Sequence, residues 1–228
     1  MKKIAAVCIA MALMGGSASA AGFVDVDGHW AQNTINALAD KGLINGVGSG
    51  YFEPNGHVTR AQYLKMMMDT AGIAPAVGLS GVCLDANASD WYAPYLQSAL
   101  TKGLLPRQMI TGYKAELVKD AAGEYAYVSY DGAFSGNVAI TREEAAFLSM
   151  STFQYVLNAN TMRKLAEPSK VEFTDEAEIE KWAYSAVKMA ADNGVITGMD
   201  DGSFAPKEST TRAQAAVIME RILNILQK

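Results

Sequence analysis

The 228-residue chain is poor in the residues from which most enzyme sites and covalent cross-links are built. It has two cysteines, and Cys8 falls in an N-terminal stretch that reads as a cleaved leader. Cys83 is then alone, which excludes an intramolecular disulfide. Histidine is as scarce. His29 and His57 sit in a helix lead-in and a loop, with no Cys–His or Ser–His–Asp set in a shared context and no metal-ligand spacing. These absences argue against an enzyme and predict neither a metal nor another cofactor. Runs long enough to cross a bilayer are also missing: the apolar run from Ile4 to Met14 is too short. With Lys2 and Lys3 before it and Ala18-Ser19-Ala20 after it, that run reads as a secretory signal peptide over residues 1–20. The expected product is exported and has no transmembrane span. Excess positive charge is lacking too. Nineteen basic residues less Lys2 and Lys3 leave 17 against 24 acidic, a net charge of −7, which makes non-specific nucleic-acid binding improbable.

What the chain does have is a repeat. Its three tryptophans, Trp30, Trp91 and Trp182, are each followed twelve positions later by a glycine: Gly42, Gly103 and Gly194. Phe52, Phe134 and Phe204 each stand seven positions before a Thr-Arg pair. From Trp to Thr is 29 positions in the first and third copies and 50 in the second, which therefore carries a 21-residue insertion. Upstream lie Phe23-Val24-Asp25, Cys83-Leu84-Asp85 and Phe173-Thr174-Asp175, so Cys83 occupies an apolar core position. The copies are expected at 21–78, 79–158 (insertion near 106–130) and 171–228, with a linker at 159–170.

Each copy predicts a first helix of about three turns with one apolar face: Trp30, Ile35 and Leu38; Trp91, Leu96 and Ala99; Trp182, Val187 and Ala190. The glycine is expected as a left-handed C-cap. A turn and a short extended piece held by proline follow, then a second helix. The insertion alternates over Tyr113–Lys119 and Tyr125–Tyr130 around a turn, the pattern of a β-hairpin. Its tyrosines either pack over the second copy or contact carbohydrate or a partner. One helix pair buries too little to be stable alone, so the three copies should share one core.

The second helices open on Thr59-Arg60-Ala61-Gln62, Thr141-Arg142-Glu143-Glu144 and Thr211-Arg212-Ala213-Gln214. Each is a capping box, in which the threonine hydroxyl and the Gln or Glu side chain satisfy each other's backbone N–H. The arginine at the first helical position opposes the macrodipole. Two explanations are open: an ion pair elsewhere in the fold, or an anion bound jointly by the guanidinium and the free N–H groups of the helix start.

The series Phe-x-Asp, Trp-Ala, Gly-x-Ile-x-Gly, Phe-x-Pro and Thr-Arg-Ala-Gln, repeated through the mature chain, resembles the S-layer homology (SLH) domain family. The resemblance implies a mainly α fold in which three SLH repeats form a pseudo-threefold helical bundle with ligand grooves between lobes. It implies non-covalent binding to a cell-wall polymer, usually a secondary polysaccharide bearing pyruvate ketals. Arg60, Arg142 and Arg212 would then face the carboxylate, Arg60 and Arg212 in intact motifs and Arg142 beside the insertion. Trp30, Trp91 and Trp182 would offer a ring face to the sugar, or anchor the first helix in the core. Asp25, Asp85 and Asp175 would accept from sugar hydroxyls, orient the arginine, or cap the first helix. Gly46 and Gly198 would let backbone approach the ligand; the second copy has Arg107 there. Alternatives are a polyamine-modified peptidoglycan as the wall ligand, an envelope-protein partner, and self-association as a lattice protein.

Overall fold

A computed structural model describes residues 22–77, 85–87, 89–119, 125–160 and 171–227, with backbone alone over 113–119, 125–131 and 159–160. The leader, Cys83 and residues 161–170 of the expected linker lie outside the described residues. Six α-helices are present among the described residues: α1 (Gln32–Asp40), α2 (Arg60–Thr70), α3 (Ala93–Thr101), α4 (Arg142–Asn160), α5 (Tyr184–Asp192) and α6 (Arg212–Leu226). A two-stranded antiparallel sheet of β1 (Thr111–Lys119) and β2 (Tyr125–Ala133) lies between α3 and α4. The fold is mainly helical. Because α4 runs to Asn160, residues 159 and 160 of the expected linker are helical.

The first helices α1, α3 and α5 end where the glycines stand. Gly42, Gly103 and Gly194 have φ of 68°, 68° and 65°. Each is followed by a residue whose N–H reaches back across the last turn: Leu43 to Leu38 O (3.0 Å), Leu104 to Ala99 O (2.9 Å) and Val195 to Ala190 O (2.8 Å). That is the Schellman arrangement, which needs a left-handed residue after the helix and so selects glycine.

The apolar face of these helices is shorter than the spacing suggests. Ile35, Leu38, Leu96, Ala99, Val187 and Ala190 are all buried, but the tryptophans are not part of that face. Each lies in the turn ahead of its helix; Trp30 is 66% and Trp91 52% exposed. Only Trp182 packs against the core, and core anchoring is thereby overturned for the other two.

The second helices carry the core. α2 packs on both α4 and α6, and each first helix lies on the second helix of the preceding copy: α3 on α2, α5 on α4, and α1 on α6. The last of these closes the chain's beginning onto its end, where the Thr34 hydroxyl donates to Glu220 at 2.7 Å. Where the three copies meet, Val58 N–H bonds Thr210 O (3.0 Å), Thr210 N–H bonds Ile140 O (2.9 Å), and Ile140 N–H bonds Val58 O (3.0 Å). All three residues are buried. The result is a closed ring of backbone hydrogen bonds with one residue from each copy.

Candidate functional site: grooves at the joints between copies

The capping boxes form as their sequence requires. Thr59 with Gln62, Thr211 with Gln214, and Thr141 with Glu144 each exchange both hydrogen bonds, at 2.9–3.3 Å. The next two amides at each helix start are satisfied by the following copy. Arg60 and Ala61 donate to Val138 O and Gly136 O, Arg142 and Glu143 to Glu208 O and Pro206 O, and Arg212 and Ala213 to Gly56 O and Pro54 O. These N–H groups are therefore not free, and the expectation that they face an anion together with the guanidinium is overturned. Helix starts are instead where one copy is stitched to the next.

This stitching explains a cation at the first helical position. The arginine leaves its own helix and enters the loop of the next copy. Arg142 Nε donates to Phe204 O (2.8 Å) and its Nη2 to Thr197 O (3.1 Å). Arg212 Nε donates to Phe52 O (2.6 Å) and its Nη2 to Asn45 O (2.9 Å). Each guanidinium lies over the phenylalanine ring, 5.1 Å from the Phe204 centroid and 4.5 Å from that of Phe52. Arg142 is only 4% exposed. Burial pulls the pKa of both guanidinium groups below the ordinary arginine value, yet arginine stays charged in proteins. Among the described residues neither has a carboxylate partner in an ion pair. Carbonyls and a ring face thus hold one buried and one half-buried cation, with the charge of Asp175 acting on Arg142 and those of Glu53 and Asp25 on Arg212 from nearby.

Arg60 meets a different environment. Its Nη1 reaches Phe134 O (3.0 Å), but Nε donates to Glu144 Oε2 (3.1 Å) and Nη2 to Glu144 Oε1. For Arg60 the ion-pair explanation is the right one. Sequence alone put Arg60 and Arg212 in intact motifs and Arg142 beside the insertion; the structure groups Arg142 with Arg212, because all three arginines reach the next copy's loop but only Arg60 is taken by Glu144.

The aspartates hold that loop from the other side. Asp25 accepts from Phe52 N (2.8 Å) and Glu53 N (2.7 Å), Asp85 from Phe134 N (2.8 Å) and Ser135 N (2.6 Å), and Asp175 from Phe204 N (2.8 Å) and Ala205 N (2.7 Å). They do not cap the first helices, which have no side-chain cap bond. They orient the arginine through the loop, since the phenylalanine whose N–H binds the aspartate offers its carbonyl to the arginine, and the charges of Asp175 and Asp25 also favour the cations of Arg142 and Arg212. The residue after it is not extended, as the Phe-x-Pro pattern suggested. Glu53, Ser135 and Ala205 have φ of 58°, 56° and 57°, a left-handed conformation costing about 1–2 kcal/mol for a residue with a Cβ. Two hydrogen bonds to a carboxylate offset that strain.

The two turn glycines are packing positions. A Cβ on Gly46 would stand 2.4 Å from Tyr51 O and 2.6 Å from Phe23 Cε1; on Gly198 it would stand 2.8 Å from Ser203 O and 2.9 Å from Phe173 Cε1. They let the turn close on the phenylalanine that begins each copy, and this packing is a reason for glycine that needs no ligand.

These parts assemble into two grooves. The larger, about 810 Å³, has Arg142 from the second copy, the turn 196–201, Gln214 and Arg221 from the third, and Trp30 from the first. The smaller, about 170 Å³, has Arg212 from the third copy, Ile44, Asn45, Gln62 and Lys65 from the first, and Trp91 from the second. Each groove therefore joins an arginine, a turn with its second helix, and an exposed indole, one from each copy. Of the sequence-predicted residues the grooves bring together Trp30, Arg142 and Gly198, and Trp91 with Arg212. The aspartates stand behind them. Gln62, Gln214, Lys65 and Arg221 were not foreseen as lining residues; their i, i+3 and i+7 places on the groove-facing side of the second helix are the signal that could have found them.

A helical bundle of repeats with grooves at its joints, and no helix among the described residues able to cross a membrane, is the class that fold and site define. Comparison with known proteins narrows it. Residues 22–64 and 172–216, within the first and third copies, match the S-layer homology domain model. The chain is 30% identical over 201 residues to an amylopullulanase of Thermoanaerobacterium thermosulfurigenes, a match covering 88% of this chain and 9% of that protein. It is 29% identical over 202 residues to exoglucanase XynX of Acetivibrio thermocellus, covering 88% of this chain and 16% of that one. The S-layer protein sap of Bacillus anthracis is 26% identical over 221 residues, covering 94% of this chain and 23% of its own. The chain spans less than a quarter of the length of each of these relatives.

Proposed function

We propose that this protein is an exported, non-enzymatic wall-binding module. Its three repeats, at 21–78, 79–158 and 171–228, form a pseudo-threefold bundle with a β-hairpin insertion in the second. It anchors an envelope or S-layer protein to a secondary cell-wall polysaccharide, and pyruvylated sugars sit in the grooves. The observation that carries the reading is the pair Arg142, buried, and Arg212, half-buried, each at a groove beside an exposed tryptophan and, among the described residues, in no ion pair. A carboxylate on a sugar supplies both missing elements, a charge for the arginine and a ring for the indole. The matched relatives, which include enzymes and S-layer proteins that share only this portion, support an attachment role rather than a catalytic one.

Sedimentation with purified cell wall, before and after pyruvate is stripped by mild acid, tests it. Binding is expected to fall on stripping and in the Arg142→Ala/Arg212→Ala variant. Unchanged binding in both cases would sink the reading. A second reading, polyamine-modified peptidoglycan, is favoured by the net charge of −7 left once the leader with Lys2 and Lys3 is removed and by Asp200 and Asp201 at the larger groove; it predicts binding that survives stripping and is competed by free polyamine. Self-assembly without any wall polymer would instead mark a lattice protein.

A further inference from the structure

The third joint is built from the same positions as the two grooves, but it has Arg107 where the others have Gly46 and Gly198, and on its second helix two differences bear on the arginine and the tryptophan. Where the open grooves have Gln62 and Gln214, it has Glu144; where they have Lys65 and Val217, it has Phe147. Glu144 still completes its capping box, with Oε2 accepting from Thr141 N at 3.1 Å. The same carboxylate takes Arg60 through two guanidinium nitrogens, and the pair is largely buried, with side-chain exposures of 17% and 8%. Phe147 lies 5.6 Å, centroid to centroid, from Trp182, the one tryptophan of the three that packs against the core.

Building on the wall-binding reading, we infer that Glu144 and Phe147 fill from within the two seats that an acidic sugar takes in the open grooves, and so fix the number of such sugars bound at two. The carboxylate of Glu144 is on the arginine and the ring of Phe147 is on the tryptophan. Both are tethered to one helix, one turn apart. A covalently presented group acts at an effective concentration of millimolar or more, so a free sugar of weaker affinity does not displace it. The pairing is also bidentate and partly desolvated, the arrangement in which an arginine–carboxylate contact is strongest.

The experiment is isothermal titration of the mature chain with a synthetic methyl glycoside carrying a pyruvate ketal. Wild type is expected to take up two equivalents. Glu144→Gln/Phe147→Val should take up three. In the reverse direction, Gln214→Glu places the lock opposite Arg142 while keeping the capping box, as Glu144 does, and should leave one. Thermal melts monitor folding, and if the double variant does not fold, Gln214→Glu decides alone. Three equivalents in wild type, or a folded variant of either kind remaining at two, overturns the inference and leaves the wall-binding reading in place. No uptake by any of the proteins overturns both.

Discussion

Replacing Asp175 by alanine is the most direct test of how the grooves are built. The carboxylate accepts from Phe204 N at 2.8 Å and Ala205 N at 2.7 Å, and Phe204 is fully buried. Removing it leaves one amide deep in the core without a partner and another at its edge. Hydrogen bonds to a charged group contribute about 1.5–3 kcal/mol each. Taking the upper end for Phe204 and the lower for the more accessible Ala205 gives about 4.5 kcal/mol. Relaxation of Ala205 from its left-handed conformation returns about 1 kcal/mol. The expected net loss is about 3.5 kcal/mol, or a drop of about 7–14 °C in Tm for a chain of this length. Urea denaturation followed by circular dichroism measures it, with Asp175→Asn as a companion that keeps one acceptor oxygen and should lose roughly half as much. Since Phe204 O is the partner of Arg142 Nε, uptake at the larger groove should weaken even under conditions where the variant stays folded. An Asp175→Ala protein within about 1 kcal/mol of wild type would refute the view that the aspartate holds the loop.

Other outcomes follow from single contacts. Thr210 is buried in the hydrogen-bonded ring and its hydroxyl has no partner among the described residues, so Thr210→Val should stabilise by about 1–2 kcal/mol in the same denaturation assay. Gly198→Ala forces a Cβ to within 2.8 Å of Ser203 O and should destabilise by about 1–3 kcal/mol, read as a lower urea midpoint. Trp30→Ala, at an exposed position, should leave stability within about 0.5 kcal/mol of wild type but reduce glycoside affinity at the larger groove, measured by titration. Glu176 is held below the usual carboxylate range by the Tyr184 hydroxyl and then by Lys188. A depressed folded pKa contributes stability above the unfolded value that is lost as pH falls through the folded one. Glu176→Gln should therefore show a shallower loss of stability in acid than wild type.

How much of this was legible in the sequence depended on how local each feature is. The capping boxes and the glycine C-caps involve residues three to five apart, and all of them form where the pattern put them. The aspartates were found, and of their roles capping is overturned while orienting the arginine works through the loop, because their partners are backbone amides 27–50 residues away and a backbone amide leaves no mark in composition. The tryptophans were counted into the helical face because Leu38, Ala99 and Ala190 lie eight positions after them, close to two turns, yet the helices begin two residues after them. The three arginines were rightly seen as one position. What separates Arg60 from the others is a glutamate 84 residues on, and only the fold brings the two together.

The ring of hydrogen bonds through Val58, Ile140 and Thr210 has a consequence for how such chains vary. In an open stack of repeats, a duplication adds one more unit to an end and a deletion removes one, with the remainder undisturbed. Here every unit receives carbonyls from one neighbour and supplies them to the other, and the first completes the last. A fourth unit inserted anywhere has no place in a three-membered ring, and a lost unit leaves a helix start bare in one survivor and a loop unbound in the other. Copy number is consequently fixed by closure. Diversity has to enter between ring positions, and the 21 extra residues of the second copy, which lie between Gly103 and Phe134, do so.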